Sequence, residues 1–576
     1  MILEKERGVL MALTKVFGTE TEYGISLPNS DRLSANAMEL VQLARETLAV
    51  PSMENPQNRE RLDLLLKHEG SRSRSQIDSF LDRLRLRGRR RRNQRQGEEQ
   101  EELFRIVGLS GSMLPNGARF YVDMGHPEYS TPECTSAREL VAWYRAGDLL
   151  VDAGRRALEE KMQVTVEVHK DNSDRAGHSY AAHENYCVDP GTFEELITPS
   201  PKSRILETFF VTRQIVVGAG KVGCEEEHDN RRSSLRWLDD EEYGDHPAHC
   251  PYPYQLSQRA DFINARLGED TTYRRGIINT RDRPYADATR FRRLHVIVGD
   301  ANICDVAFWL KIGLTAMVLK MLEDDFPASV GSPLCTPLHD GVAAIRAISH
   351  DPTLTVPVSL QDGRHVTALD IQREFHALLA RYFADAAVPT KEERDLLDEF
   401  SRVLDFLGDL PNHRDDLVGT LDWATKQVLL EELCERGFSW DDPRMRVRDA
   451  RYHDVNPAVG LRQWLDDNGY LRRLASDEEI ARALVTPPES TRAYLRGRCI
   501  AEFSSALRGA QWEYLFFDAG DAQEHSSDTE EVIALSDPLR GNADEVREAL
   551  DTAKNPVQLL RFLKEAGITV RQGSRW

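Results

Sequence analysis

Oxygen-bearing side chains alternate in two short segments of the chain. Glu20 and Glu22 are two residues apart in FGTETEYGI, and Tyr121 and Asp123 are two residues apart in RFYVDM. Side chains two apart on a β-strand project from the same face. Two carboxylates about 6–7 Å apart repel each other unless a cation lies between them or water screens them. The spacing therefore indicates either a cation site or a solvent-exposed amphipathic strand.

Further polar groups follow in the segment GHPEYSTPE, which contains His126, Glu128 and Glu133. Oxygen ligands of this kind suit Mg²⁺, which commonly arrives with nucleotide phosphates. Arg281 lies in an arginine-rich segment, and arginine presents a planar fork to phosphoryl oxygens. His295 lies within the apolar segment LHVIV. This placement is typical of a core histidine and is also compatible with a metal ligand. No P-loop or Rossmann fingerprint is present, so a nucleotide would have to bind on a sheet.

Hydrophobic periodicity predicts the elements that would position these groups. Alternating segments predict strands at residues 17–25, 119–124, 164–169 and 294–300. Apolar residues at helical spacing predict helices at residues 137–161, 306–323, 370–386 and 391–407. The proline-containing HPEY segment is typical of a loop. The chain is therefore expected to have a mixed α+β fold with strands far apart in sequence.

Composition excludes several classes of protein. The 576 residues include 74 basic and 95 acidic side chains, a net charge of −21, and 40% are hydrophobic. These values argue against a peptide, a disordered chain and a generally cationic nucleic-acid binder. The most apolar long run, residues 303–322, contains Asp305, Lys311 and Lys320, which favours a buried helix over a membrane span. With no signal-peptide pattern at the N-terminus, we expect a cytoplasmic protein with neither membrane nor nucleic acid as a partner.

Two charged insertions and a C-terminal domain are expected from changes in composition. Residues 50–105 combine a basic block with an acidic block, which fits either a solvated loop or a gate or docking segment. Residues 224–254 form a second charged surface insertion. A PPES turn precedes a shorter α/β-like stretch. We therefore expect a catalytic domain at residues 1–486 and a small domain at residues 487–576.

The second insertion contains side chains of the types that bind zinc: Cys224, His228, His246, His249 and Cys250. Their spacing matches no standard zinc finger. Histidine and cysteine in a charged loop also occur without any ligand. The sequence is compatible with zinc binding by these residues and with their chance occurrence in a charged loop.

Eight sequence blocks resemble, in order from residue 18 to residue 542, one known family. The blocks are GTETEYGI, NGARFYVDMGHPEYSTPE, HKDNSDRAGHSYAAHENY, VTRQIVVGAGKVG, YQLSQRADFI, RGIINTRDRPYADATRFRRLHVIVGDAN, RAYLRGRC and SDPLRGN. They are similar to the ligases and depupylases of Pup, the prokaryotic ubiquitin-like protein, a family related to glutamine synthetase and the carboxylate-amine ligases. The insertion before NGARFYVD, the YQLSQRADFI block and SDPLRGN resemble the deamidase and depupylase branch.

This resemblance implies a glutamine synthetase-like domain with a curved, mainly antiparallel active-site sheet backed by helices, plus a small C-terminal domain. It implies an ATP- and Mg²⁺-dependent hydrolase that deamidates the C-terminal glutamine of Pup and cleaves the isopeptide bond between Pup and lysines. The expected partners are Pup, pupylated proteins and proteasome-associated machinery. A Pup–protein ligase and a catalytically silent Pup-binding regulator are the alternatives.

The resemblance also assigns roles to individual residues. Asp123 matches the catalytic carboxylate, which acts either as a nucleophile or together with ATP-derived phosphate. The implied metal ligands are Glu20, Tyr121 and Glu128, with Glu22 and His295 as additional ones. The implied phosphate-binding residues are Arg281, Arg492 and Arg496. The chain departs from the family pattern at Asp171, Ala181, Arg283 and Tyr285.

Overall fold

The computed structural model describes residues 13–27, 33–48, 113–174, 177–224, 253–326, 332–518 and 530–572. The insertion expected at residues 50–105 lies outside the described residues. The same holds for His228, His246, His249 and Cys250, so zinc binding by that loop stays a prediction. Tyr254, placed by the sequence at the end of the second insertion, is buried in a strand.

The strands are β1 (Phe17–Glu22), β2 (Gly24–Ser26), β3 (Arg119–Asp123), β4 (His126–Ser130), β5 (Glu167–His169), β6 (Ala182–Val188), β7 (Lys221–Val222), β8 (Tyr254–Gln255), β9 (Ala265–Gly268), β10 (Gly276–Asn279), β11 (Arg292–Val296), β12 (Pro357–Ser359), β13 (His365–Thr367), β14 (Leu507–Ala510), β15 (Tyr514–Asp518), β16 (Glu530–Ala534) and β17 (Thr569–Gln572).

The helices are α1 (Leu33–Leu48), α2 (Ala137–Met162), α3 (Pro190–Leu196), α4 (Pro201–Thr212), α5 (Gln214–Val217), α6 (Asp305–Glu323), α7 (Gly341–Ser349), α8 (Ala368–Asp385), α9 (Lys391–Gly408), α10 (Leu410–His413), α11 (Asp422–Glu435), α12 (Pro443–Tyr452), α13 (Leu461–Asp467), α14 (Asp477–Val485), α15 (Ala493–Glu502), α16 (Ala543–Thr552) and α17 (Pro556–Glu565). Short 3₁₀ helices lie at Ala260–Phe262, Pro333–Cys335 and Asp415–Leu417.

The main sheet has the strand order β11-β6-β1-β4-β3 within the described ranges, and every neighbouring pair is antiparallel. This confirms the expected α+β fold with an antiparallel sheet. The four predicted helices correspond to α2, α6, α8 and α9, with ends within two residues of the prediction. The strands are less well predicted, because residues 17–25 form both β1 and β2, and β11 ends four residues earlier than expected.

The HPEY segment is a strand, so its prediction as a loop was wrong. Met124 and Gly125 have φ angles of 45° and 95° and form the tight turn that joins β3 to β4. The carbonyl of Pro127 accepts a hydrogen bond from Tyr23, which follows the end of β1. Because proline has no N–H to return to Tyr23, the pairing of β4 with β1 ends at this position.

Helices cover one face of this sheet. In β6, Glu184, Tyr186 and Val188 are buried, whereas the side chains between them are partly exposed on the other face. Glu184 forms a buried ion pair with Arg213 at 2.6 Å. Nearly all residues of α6 are buried, as predicted. None of the helices in the described ranges combines the length and hydrophobicity that a bilayer crossing needs.

Residues near the C-terminus build a separate hydrophobic core. Strands β14 to β17 form an antiparallel sheet in chain order, and β15 and β16 contribute Leu515, Phe517 and Ile533 to the core. Helices α16 and α17 pack on it through Val546 and Leu559. The position of the domain boundary at residue 487 stays a prediction.

Candidate active site

The strand register brings the polar side chains predicted from the sequence to one face of the sheet. Glu20 lies opposite His183, and Glu22 lies opposite Glu128. Glu128 in turn lies opposite Tyr121 on β3. Directly opposed residues of antiparallel strands share a face, and Asp123, two residues beyond Tyr121, shares it as well. Hydrogen bonding between the strands therefore assembles the site.

One cluster of side chains forms where β1, β6 and β11 meet. His183 Nδ1 lies 3.1 Å from Glu20 Oε2, and His295 Nε2 lies 3.6 Å from the same oxygen. Asn185 donates to Glu20 Oε1 at 3.1 Å, and Arg293 lies 3.4 Å from that oxygen. The expectation of a satisfied core histidine does not describe His295, because neither ring nitrogen has a hydrogen-bond partner among the described residues.

The electrostatics of this cluster favour a charged carboxylate between neutral imidazoles. Burial alone would raise the pKa of Glu20, but the imidazoles of His183 and His295 and the charge of Arg293 hold it well below its usual value. Burial lowers the pKa of His183 to about 4 and also lowers that of His295. Both imidazoles therefore have a lone pair available at neutral pH.

A second cluster forms on β1, β3 and β4 and contains Glu22, Asp123 and Glu128. One carboxylate oxygen from each residue lies within 4.8 Å of the others. Tyr121 donates a hydrogen bond to Glu128 at 2.6 Å, and the backbone N–H of Ala181 donates to Glu22 at 2.6 Å. Asp123 is exposed and makes no side-chain hydrogen bond with any described residue. Its oxygens are therefore accessible to a ligand.

The second cluster has an excess of negative charge. Burial raises the pKa of Glu22 to about 7, and the charges of Asp123 and Glu20 add to this effect. Burial, followed by the charges of Glu20 and Glu22, raises the pKa of Glu128 well above its usual value. Burial and the charge of Glu128 also raise the pKa of Tyr121. Only protons or cations can relieve such a concentration of carboxylates.

Both clusters have features of a cation site. The ligand atoms of Glu20, His183 and His295 also lie within 4.8 Å of one another, and the unpartnered nitrogens of His295 are the group that a metal would satisfy. The oxygen-only cluster of Glu22, Asp123 and Glu128 suits a hard cation such as Mg²⁺. Imidazole nitrogen is a less typical Mg²⁺ ligand, so the two clusters differ in the cations that they favour.

A cleft of about 660 Å³ lies beside the first cluster. One wall of the cleft is formed by residues 16–20, at the start of β1. Another wall is formed by Tyr285 and Arg293. Arg492 and Trp512 reach it from the C-terminal part of the chain. Arg281 follows β10, and its positive charge contributes to the lowered pKa of His295. Arg281 is not among the residues that line the cleft.

Arg492 and Arg496 are engaged with protein groups. Arg492 donates to Glu133 at 2.8 Å and to the carbonyls of Tyr285 and Leu535. Every nitrogen of the fully buried Arg496 guanidinium donates to Glu133 or to a backbone carbonyl. Arg492 borders the cleft, whereas Arg496 does not, so the two residues differ in their access to a phosphate. Phosphate binding by either residue stays a prediction.

The sequence of residues 15–516 matches the family model described as Pup-ligase protein. The chain belongs to this family. A depupylase of Acidothermus cellulolyticus is 36% identical over 95% of this chain and 99% of that protein. A Pup deamidase/depupylase of Mycobacterium tuberculosis is 37% identical over 79% of this chain and 84% of that protein. These similarities confirm the family predicted from the sequence blocks.

Solved structures of the same family share the fold. The Pup ligase PafA in complex with Pup has a TM-score of 0.68 and 28% identity, covering 94% of this chain and 93% of that one. The Pup ligase PafA in complex with ADP has a TM-score of 0.63 and 31% identity, covering 81% and 95%. The glutamine synthetase-like fold class predicted from the resemblance is confirmed.

Several residues that contact or support Glu20 and Glu22 were not identified from the sequence. His183 and Asn185 contact Glu20 from the neighbouring strand β6. Arg259, 1% exposed, donates to the Tyr180 carbonyl at 2.5 Å and so supports the segment whose next amide binds Glu22. The segment AHENYCV gives little signal for β6, because three polar residues follow one another at positions 183–185. The position of Arg259 carries no local signal, because it depends on tertiary contacts.

Proposed function

We propose that this member of the Pup-ligase protein family is a Pup deamidase and depupylase. It hydrolyses the terminal amide of glutamine-ended Pup and the isopeptide bond that joins Pup to lysines of other proteins. The similarity to proteins named depupylase and Pup deamidase/depupylase, over most of the chain, is the observation that carries this proposal.

Asp123 is proposed as the catalytic carboxylate. It lies at the end of β3, next to the turn that leads into β4, and its side chain is exposed. Glu22 and Glu128 flank it and are buried. An accessible carboxylate held beside a cation site has the placement that nucleophilic or base work requires.

ATP and Mg²⁺ are proposed as cofactors. The cleft beside Glu20 is open and bordered by arginines, and the structural relative PafA is described in complex with ADP. Arg293 and Arg492 line the cleft, and the charge of Arg281 acts on His295 beside it. Glu20, Glu22, Tyr121, Glu128 and His295 would hold the metal ions. When bound, Mg²⁺ supplies positive charge that neutralises phosphoryl and carbonyl oxyanions.

The proposed partners are Pup and pupylated proteins. The complex of Pup with PafA, which is 28% identical to this chain, supports a Pup-binding role for the shared fold. Contact with proteasome-associated machinery follows only from the expected pathway. A cytoplasmic location is likewise proposed from the pathway and from the sequence.

The test uses the purified chain with two substrates, glutamine-ended Pup and a Pup–lysine conjugate, with and without Mg-ATP. Intact mass is expected to show loss of one amide group and release of Pup, each dependent on nucleotide. Asp123→Asn is expected to abolish both reactions. Asp362→Asn, which removes the same charge at an exposed turn between β12 and β13, serves as the matched control.

Two other outcomes would replace the proposal. Attachment of glutamate-ended Pup to lysine, without hydrolysis, would identify a ligase, as in the PafA relatives. Binding of Pup with neither reaction would identify a silent regulator. Full activity of Asp123→Asn would show that another group provides the catalytic carboxylate.

A further inference from the structure

A second cavity lies where the chain continues from β1 into β2. It is open to solvent, measures about 600 Å³ with that open solvent included, and is lined by the β2 residues 24–26 and by His169, Asp171, Asp174 and Tyr180. The cleft beside Glu20 is lined by residues 16–20, which precede residues 24–26 in the chain. Glu22 lies between these two stretches of chain. The two voids are therefore lined by successive stretches of the chain, with Glu22 between them in sequence.

The ring of Tyr180 separates this cavity from the turn next to Asp123. The ring covers Gly24 so closely that a Cβ at that position would lie 2.8 Å from Tyr180 Cε2. The Tyr180 ring also contacts the ring of His126, with centroids 4.5 Å apart. His126 is the direct strand partner of Asp123. A group that enters the cavity is thus one aromatic ring away from the turn that carries the catalytic carboxylate.

The cavity wall is suited to a cation with an aliphatic stem. Asp171 and Asp174 place two carboxylates on it, and the tyrosine ring offers an aromatic face. Asp174 is oriented by the ring and the backbone N–H of His178, at 2.6 and 2.9 Å. Burial lowers the pKa of His126, and the charges of Asp123 and Asp174 both oppose this effect.

We propose that this cavity, the amine cavity, binds the lysine side chain on the amine side of the isopeptide bond. The proposal rests on the function proposed above and adds a second substrate subsite to it. The nucleotide cleft would then be lined by β1, and the amine cavity by β2 and by Tyr180, whose ring contacts the strand partner of Asp123.

The chemistry of the leaving group explains why an anionic wall would be useful. Hydrolysis adds the oxygen of water to the carbonyl carbon and breaks the carbon–nitrogen bond. The products are a carboxylic acid and an amine, and the acid loses the proton that the amine gains. Because a lysine amine has a pKa of about 10.4, it leaves as an ammonium group at neutral pH. Asp171 and Asp174 would stabilise the charge that develops on this nitrogen.

Deamidation of glutamine-ended Pup provides an internal comparison. The same carbonyl group reacts, but the leaving group is ammonia, which has no side chain to occupy a cavity of about 600 Å³. A defect in the amine cavity should therefore affect release of lysine more than release of ammonia. The ratio of the two kcat/KM values separates this role from a general loss of folding or catalysis.

The experiment compares the wild-type chain with the double variant Asp171→Asn and Asp174→Asn, using Asp362→Asn as the charge-matched control. The ratio of depupylation to deamidation is expected to fall about tenfold in the double variant and to stay constant in the control. Calorimetry with Nα-acetyl-lysine amide is expected to show binding that the double variant weakens at least tenfold. Nα-acetyl-norleucine amide, which lacks the ammonium group, is expected not to bind.

An equal decrease in both reactions, with unchanged binding of the lysine probe, would overturn the amine cavity. Equal binding of the lysine and norleucine probes would also overturn it, because the carboxylates would then play no part. If the wild-type chain cleaves neither substrate, the proposed function fails, and the cavity is judged by the calorimetry alone. Lysine-probe binding that depends on Asp171 and Asp174 would support the cavity, and its absence would refute it.

Discussion

Replacing Glu133 by glutamine tests how the C-terminal part of the chain is held against the nucleotide cleft. Glu133 follows β4 and accepts hydrogen bonds from Arg492 and Arg496, both of which are nearly fully buried. Burial alone would raise the pKa of Glu133, but the two arginines hold it at about 2 instead of the ordinary 4.5. This difference corresponds to about 3 kcal/mol of stabilisation at neutral pH. Removal of one partner from a buried ion pair gives a similar figure, about 3–5 kcal/mol.

The assay is urea denaturation of the wild type and Glu133→Gln, followed by tryptophan fluorescence, since Trp512 lies against Arg496. Because the pKa of Glu133 is lower in the folded state, its stabilisation is complete above about pH 4.5 and is lost as the pH falls towards 2. The variant should be less stable by about 3 kcal/mol at pH 7, and the difference should shrink in acid. Glu489→Gln, which loses an exposed ion pair with Arg547, should cost less than about 1 kcal/mol. A difference that does not vary with pH would refute this reasoning.

Two further substitutions test the sheet and the metal site. Gly147→Ala in α2 would bring a Cβ within 2.5 Å of Tyr129 Cδ1, so thermal or urea denaturation should show a loss of about 1–3 kcal/mol. A gain, as is usual for glycine to alanine within an exposed helix, would contradict this packing. Glu20→Gln should weaken Mg²⁺ binding by at least about tenfold in calorimetry, with unchanged circular dichroism. Unchanged affinity for Mg²⁺ would exclude Glu20 as a ligand.

Local pattern predicted most of the long helices but not the complete sheet. Helices such as α8 and α9 are specified by periodicity within a single segment. Strand β6 was missed because Glu184 faces the core, where Arg213, 29 residues away, compensates its charge. Strand β4 was missed because Pro127 suggests a loop, and its position at the end of the pairing with β1 is a property of the register. Both errors arise where tertiary partners determine the structure.

The sequence predicted which acidic residues lie at the candidate site, but it did not predict that they form two separate clusters. Alternation places Glu20 and Glu22 on the same face, and the structure agrees. Strand order then sends Glu20 towards the histidines of β6 and β11, and Glu22 towards the carboxylates of β3 and β4. A single sequence does not specify which strands are neighbours, so the separation could not be derived from spacing.

This division produces a charge gradient along β1 that would orient a metal nucleotide. At the Glu20 end, Arg293 and Arg492 line the cleft, and Glu20 is compensated by neighbouring cationic and polar groups. At the Glu22 end, three carboxylates lie together, and burial with mutual repulsion raises the pKa of Glu22 and Glu128. Phosphate oxygens are attracted to the first end and cations to the second. A nucleotide would thus be drawn in with its phosphates towards the arginines and its metal ions towards Glu20 and the carboxylates beside Asp123, so the gradient along one strand would set the binding direction.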